Sequence, residues 1–345
     1  MTESIHGGNT WAYSEDLLDF SANLHPLGMP PSVREAAQHA VCYADHYPDP
    51  NCTQLRHALS EKEGVKPAHI LCGNGAADLI FRLCLALKPR WAVLLAPTFA
   101  EYEQALTSVG CAISYEILEP TMNFSLSQTF LPPAGTDLIF LCNPNNPTGQ
   151  AIPPEQLESI VAHCFKLGCF VVIDECFLEL TDLPPCTHLM ETYSNILLLR
   201  AFTKSYGMAG LRLGYLLSQN EALLHLISEM GQPWAVSTVA QAAGLAACQC
   251  SSWSEQGRNI IRQQRPVLQD ALRELGFCVW DSVANYILFQ AIGNQHLKEQ
   301  LLKHKILIRS CGNYRGLSND FYRVCVSTPS CNQQLLTALS AIQNP

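Results

Sequence analysis

Leu198-Leu199-Arg200-Ala201-Phe202-Thr203-Lys204-Ser205-Tyr206-Gly207-Met208-Ala209-Gly210-Leu211-Arg212-Leu213-Gly214-Tyr215 sets a lysine and, eight residues later, an arginine among apolar and small residues. Burying an unpaired cation is costly, so such a pair points to a ligand. A lysine in a partly dry site has its ammonium destabilised and more readily becomes a neutral amine, which can condense with an aldehyde. The arginine suits a phosphate. The plain structural alternative is a solvated Lys and Arg on a connection between two strands, and the neighbouring segments bear on that choice.

Upstream, Val171-Val172-Ile173-Asp174-Glu175-Cys176-Phe177 ends a buried strand with a carboxylate, Asp174, which either serves a ligand or caps the next helix. Asn143-Pro144-Asn145-Asn146-Pro147-Thr148-Gly149 follows a second apolar run, and its prolines and glycine fix a rigid turn. Gly73-Asn74-Gly75 precedes apolar residues at Leu79, Ile80, Leu83, Cys84 and Leu87, the spacing of one buried helix face. A glycine turn feeding a helix N-terminus presents free N–H groups to an anion, although many such turns merely connect elements. Pro97-Thr98-Phe99 places an aromatic ring after another strand, as a ligand platform or an ordinary core residue.

The middle of the chain alternates short apolar runs with helical patterns, which predicts an α/β fold with a mostly parallel sheet. Candidate strands are 92–96, 112–118, 138–142, 169–173, 196–199 and 211–217, with ligands expected at their carboxyl ends. Residues 219–275 read as long helices. Strands near 277–280, 286–290, 306–310 and 322–326 predict a smaller α+β unit on which the first 40 residues pack. The expected division is a large domain at 41–230 and a small one made of 1–40 with 231–345.

A chain of 345 residues that is 48% hydrophobic can bury a sizeable core. Apolar runs such as 91–97 fall far short of the roughly 20 residues that span a bilayer. The start lacks a basic region followed by an apolar one, so a cytoplasmic location is expected and no membrane partner. A formal charge of -9 argues against nucleic acid. Sixteen cysteines lie without metal-ligand spacing, so no metal is expected and they read as reduced core residues.

Taken together and in this order, the four segments at 73–75, 143–149, 174 and 204–212 resemble the fold-type I pyridoxal-phosphate enzymes of the aspartate aminotransferase superfamily. The resemblance implies a large domain with a mostly parallel mixed sheet, a smaller α+β domain and pyridoxal 5'-phosphate as cofactor. It makes Lys204 the lysine that takes the cofactor's aldehyde and Asp174 the partner of the ring nitrogen. Gly75, Ala76, Thr203 and Arg212 would hold the cofactor phosphate, Phe99 would stack on the ring, and Asn146 would donate to the ring oxygen and help place a substrate carboxylate. Relatives often carry a hydroxyl where this chain has Ala77 and Ala201, and aminotransferases usually have Tyr where it has Phe177.

The ends of the chain narrow the resemblance. His6-Gly7-Gly8-Asn9, Asp19 to Gly28, Tyr47-Pro48-Asp49 and Ile308 to Tyr314 are similar to the threonine-phosphate decarboxylase family of cobalamin biosynthesis. That similarity implies Arg323 on the substrate's α-carboxylate and Arg309, His6 and Asn23 on its phosphate; Ser327 stands where some relatives have a second basic residue. Tyr47 would reach the cofactor phosphate of a neighbouring subunit, making a homodimer with shared sites. The expected reaction is decarboxylation of L-threonine O-3-phosphate to (R)-1-amino-2-propanol O-2-phosphate. Histidinol-phosphate aminotransferase is the closest alternative family, and a non-catalytic protein that binds the cofactor is a second alternative.

Overall fold

Three runs, Leu138–Cys142, Phe170–Asp174 and Ile196–Ala201, are almost wholly apolar and buried, which suits strands covered on both faces. The computed structural model describes residues 6–343 and places these runs at the centre of a sheet. In chain order the strands are β1 (Leu18–Asp19), β2 (Ile70–Gly73), β3 (Trp91–Ala96), β4 (Ala112–Ile117), β5 (Leu138–Cys142), β6 (Phe170–Asp174), β7 (Ile196–Ala201), β8 (Gly214–Leu217), β9 (Cys278–Val279), β10 (Tyr286–Gln290), β11 (Ile306–Leu307), β12 (Arg309–Ser310) and β13 (Phe321–Cys325). The helices are α1 (Pro31–Ala40), α2 (Thr53–Glu63), α3 (Gly75–Leu87), α4 (Ala100–Ser108), α5 (Pro154–Leu167), the single turn α6 (Phe202–Ser205), α7 (Glu221–Glu229), α8 (Thr238–Cys248), α9 (Ser251–Glu274), α10 (Leu297–Leu302) and α11 (Pro329–Gln343).

The large sheet has seven strands in the order β2-β8-β7-β6-β5-β3-β4. Strands β4, β3, β5, β6 and β7 pair in parallel, and β8 runs antiparallel between β7 and β2. The expected α/β class with a mostly parallel mixed sheet is therefore the one that forms. One core lies on each face of this sheet, and the alternation of side chains along the strands divides them: Ile139, Leu141 and Leu198 enter one, Leu138, Phe140 and Leu197 the other. Each such buried side chain contributes roughly 1.5–3 kcal/mol.

A second unit holds the four-stranded antiparallel sheet β12-β13-β10-β9, with the short parallel pair β1-β11 beside it. Its own core gathers Phe20, Leu268, Ile287, Tyr322, Val324 and Leu335. Helices α1 and α8 carry Val33, Ala37, Ala240 and Ala243 into a core of the large sheet. We propose that the chain is organised as two packing units, with the boundary crossing between these helices and α9.

Three local expectations are corrected. Strand β2, only four residues long, was not anticipated; it closes one edge of the sheet against β8. The run at 211–217 becomes a strand only from Gly214, because Ala209–Leu211 forms a 3-10 turn and Arg212 takes a left-handed backbone at φ 58°. The stretch 219–275 is three helices, interrupted after Glu229 and after Cys248. All sixteen cysteines are free, eleven of them buried. No helix among the described residues is long and apolar enough to cross a membrane.

Candidate active site

A cavity of about 460 Å³ opens at the carboxyl ends of β5, β6 and β7 and extends to the N-terminal segment and to β12 and β13. Strand β7 ends in the one-turn helix α6, and that turn delivers Thr203 and Lys204 to the cavity wall. Burial holds the Lys204 amine down at about 8, reinforced by the Arg323 and Arg212 guanidinium groups and opposed by Cys176 and Asp174. The Lys204 ammonium nitrogen lies 5.7 Å from the centre of the Phe177 ring.

Asp174 terminates β6, next to β7 in the sheet, and faces the same cavity. Its Oδ2 accepts the Tyr102 hydroxyl at 2.5 Å and its Oδ1 the Cys176 N–H at 2.9 Å. Burial raises the Asp174 pKa, while these donors pull the other way by stabilising the carboxylate. Tyr102 also packs edge-on against Phe99, ring centres 5.6 Å apart, so one side chain ties the carboxylate to the aromatic wall.

The Asn143 to Gly149 turn divides its asparagines by task. Asn143 Oδ1 accepts the Ile152 N–H, and Asn145 donates to Pro97 O and Thr148 Oγ1, so both brace the turn. Gly149, at φ 74°, leaves no room for a side chain because a Cβ there would lie 2.1 Å from Ser282 Oγ. Asn146 is left facing the cavity. Its Oδ1 accepts from the Tyr314 hydroxyl at 3.4 Å and from Arg323 Nη1.

The first turn of α3 brings Ala76 and Ala77 to the cavity wall, and the leading N–H groups of a helix have no intrahelical acceptor. Gly75 itself does not line the cavity but lies against Arg212: a Cβ at Gly75 would sit 2.6 Å from Arg212 Nη2. On the opposite wall, Arg323 Nη2 donates to Ser21 O at 2.9 Å, and its buried Nε has no partner. Arg309 donates to Asn313 Oδ1 at 2.7 Å. His6 Nε2 stands 2.9 Å from Glu101 Oε1, and Asn23 has a buried Oδ1 without a partner.

The residues singled out by sequence thus come together with two exceptions, Gly75, which lies behind Arg212, and Tyr47. Lys204, Asp174, Asn146, Arg212, Thr203 and Ala76 form one side; Phe99, His6, Asn23, Arg309 and Arg323 complete the enclosure. Tyr47 lies away from this cavity, 80% exposed and stacked on Trp234 with ring centres 4.5 Å apart. Sequence reasoning missed Tyr102, Glu101 and Tyr314. Tyr102 had a signal, since it stands three residues after Phe99 at the start of a helix and so shares its face.

These side chains fit pyridoxal phosphate on four counts. An amine of lowered pKa faces a buried carboxylate, a helix N-terminus with Arg212 beside it suits a phosphate, Phe99 offers a ring face, and Asn146 has an amide nitrogen still available to donate.

The family model for aminotransferase class I and II matches residues 15–339. The threonine-phosphate decarboxylase of Salmonella typhimurium is 36% identical over 354 residues, covering 98% of this chain and 96% of that protein. A histidinol-phosphate aminotransferase of Symbiobacterium thermophilum is 33% identical over 335 residues, covering 94% and 90%. Among solved structures, the histidinol-phosphate aminotransferase of Clostridium acetobutylicum superposes with a TM-score of 0.86 at 27% identity, covering 94% of this chain and 98% of that one.

Proposed function

Because the chain belongs to the aminotransferase class I and II family, we propose that it is a pyridoxal-phosphate-dependent decarboxylase of L-threonine O-3-phosphate, forming (R)-1-amino-2-propanol O-2-phosphate for cobalamin biosynthesis. The observation that carries this reading is one cavity holding Lys204 and Asp174 on one side and two arginines, Arg309 and Arg323, on the other. Two separate cationic grips match a small substrate with two anionic ends. The near-full-length similarity to the Salmonella decarboxylase supports the same substrate class. We also propose a homodimer in which Tyr47 serves the neighbouring subunit's site, and a cytoplasmic location.

When bound, the cofactor supplies an aldehyde for amines and a protonated ring that draws electrons from a bond at Cα. Lys204 offers the amine, in reach of neutrality because its pocket disfavours the ammonium. Asp174, aligned by Tyr102 and the Cys176 N–H, would hold the proton on the ring nitrogen. The α3 N-terminus, Thr203 and Arg212 would hold the phosphate, Phe99 the ring face and Asn146 the ring oxygen.

Arg323 has five N–H groups and gives two to Asn146 and Ser21, so three remain, including the partnerless Nε–H. They suit the forked grip on an α-carboxylate. Arg309, His6 and Asn23 would take the substrate phosphate at the far wall. Holding both ends fixes rotation about Cα and turns the bond to the carboxylate into the one that breaks. Lys204 then returns a proton to Cα.

The test is to incubate the protein with pyridoxal phosphate and threonine phosphate and to analyse the products. Release of CO2 with no keto acid is the expected result. Oxoglutarate-dependent conversion of histidinol phosphate would replace this reading with the aminotransferase one, for which the Symbiobacterium relative speaks.

A further inference from the structure

Behind the cavity, on the face of the sheet opposite Asp174, five charged side chains cluster, with Glu63, Glu175 and Arg200 buried and Lys62 and Glu179 partly exposed. Arg200 donates through Nε and Nη2 to Glu175 Oε2 at 2.9 and 2.7 Å and through Nη1 to Glu63. The side chains of Arg200, Glu63 and Glu175 are only 7%, 6% and 1% exposed. Glu63 Oε1 in turn accepts the Tyr215 hydroxyl at 2.6 Å, and Glu175 Oε1 accepts the Cys186 N–H at 2.8 Å. Lys62 pairs with Glu179 and lies 5.4 Å from the Tyr206 ring and 5.9 Å from the Phe202 ring, the residues flanking the Lys204 turn.

Buried ion pairs are weak stabilisers compared with a well-packed apolar core, so their placement is informative. Glu175, Arg200 and the hydroxyl partner Tyr215 each sit within four residues of a cavity residue along the chain. Glu175 follows Asp174. Arg200 is the penultimate residue of β7, four residues before Lys204, and Tyr215, its cross-strand partner, lies three residues after Arg212. The Arg200 guanidinium and the Glu175 and Glu63 carboxylates therefore join β6, β7 and β8 near the level where they carry Asp174, Lys204 and Arg212, and Glu63 also fixes the assembly to the end of α2.

We propose that Arg200 and Glu63 are positioning residues that set the spacing of these three strand ends, and with it the register of the amine against the carboxylate. The proposal rests on the reading of Asp174, Lys204 and Arg212 as cofactor ligands. Full-length Arg200→Met, Arg200→Lys and Glu63→Gln, each loaded with pyridoxal phosphate, would be compared with the parent for kcat, KM, visible absorption and melting temperature. The expected outcome is a kcat loss of roughly 10- to 100-fold with KM held within about twofold and a displaced absorption band. Arg200→Lys should recover part of the loss, since it keeps one charged donor. Variants that melt earlier but keep the parent's kcat and band overturn the proposal, because the cluster is then merely structural. Should Arg200→Met not fold, Glu63→Gln, which keeps its shape and the Arg200–Glu175 pair, decides on the same readouts. A parent that never acquires a visible band refutes the cofactor reading instead; a coloured parent with indifferent variants refutes only the positioning.

Discussion

Lys204 lines the cavity half-buried, its amine held at a pKa of about 8 by desolvation, and this ties protein stability to one proton. Below about pH 8 the ammonium forms in the folded and unfolded chains alike, but only the folded chain must keep it out of water. Above the ordinary lysine range the amine is neutral in both and the penalty vanishes. Stability from this group is thus lost as pH falls through about 8 and restored as pH rises toward the unfolded value. Cofactor-free Lys204→Met is expected to melt above the parent at neutral pH, with the difference shrinking as pH is raised; calorimetry over that range checks it, and a widening gap would contradict it. Across the cavity, Arg323→Lys keeps a charge but loses the planar fork. A rise in KM for the phospho-amino acid on the order of 10- to 100-fold is expected in steady-state assays. The cations, Asp174 and Asn146 were legible because fixed turns and buried strands leave few reasons for them. Tyr102, Glu101 and Tyr314 were harder, since an aromatic or an acid on a helix or loop has many ordinary uses and only the folded chain turns Glu101 and Tyr314 toward the cavity and the Tyr102 hydroxyl onto Asp174.

At the scale of elements, the site depends on how α3 begins. Gly75 adopts φ 82°, and an added methyl would strike Arg212. Gly75→Ala is therefore expected to weaken cofactor binding by roughly tenfold or more, through backbone strain and a displaced guanidinium. Equilibrium dialysis against pyridoxal phosphate, with circular dichroism to show retained helix, would measure it; unchanged affinity would remove Arg212 and this turn from the phosphate site. Central strands were readable because both faces are buried and nearly every residue is apolar. The edge strand β2 was not, because four residues carry too little pattern and its pairing with β8 is a long-range event. The 211–217 run misled for a local reason: Leu211 and Leu213 alternate as in a strand, but Arg212 between them turns the backbone left-handed.

For the molecule as a whole, the proposed homodimer turns on Tyr47, which is stacked on Trp234 and largely exposed. If sites are shared, mixing Lys204→Ala and Tyr47→Ala subunits creates heterodimers with one complete site each, and activity should climb to about a quarter of the parent's. A mixture no better than the average of the two separate variants would dismiss the shared site. The proposed division into two packing units follows the change in strand and helix rhythm after residue 275, while Ala37, Ala240 and Ala243 of α1 and α8 lie in a core of the large sheet.

The abundance of thiols gives this fold an internal clock. Cys42 and Cys278 stand in solvent, whereas eleven others are sealed in the interior. A colorimetric thiol reagent would label the first two promptly and reach the rest only as the interior becomes momentarily accessible. Followed residue by residue in dilute urea, the order of labelling would reveal which layer of the molecule breathes first, with no residue substituted to report it.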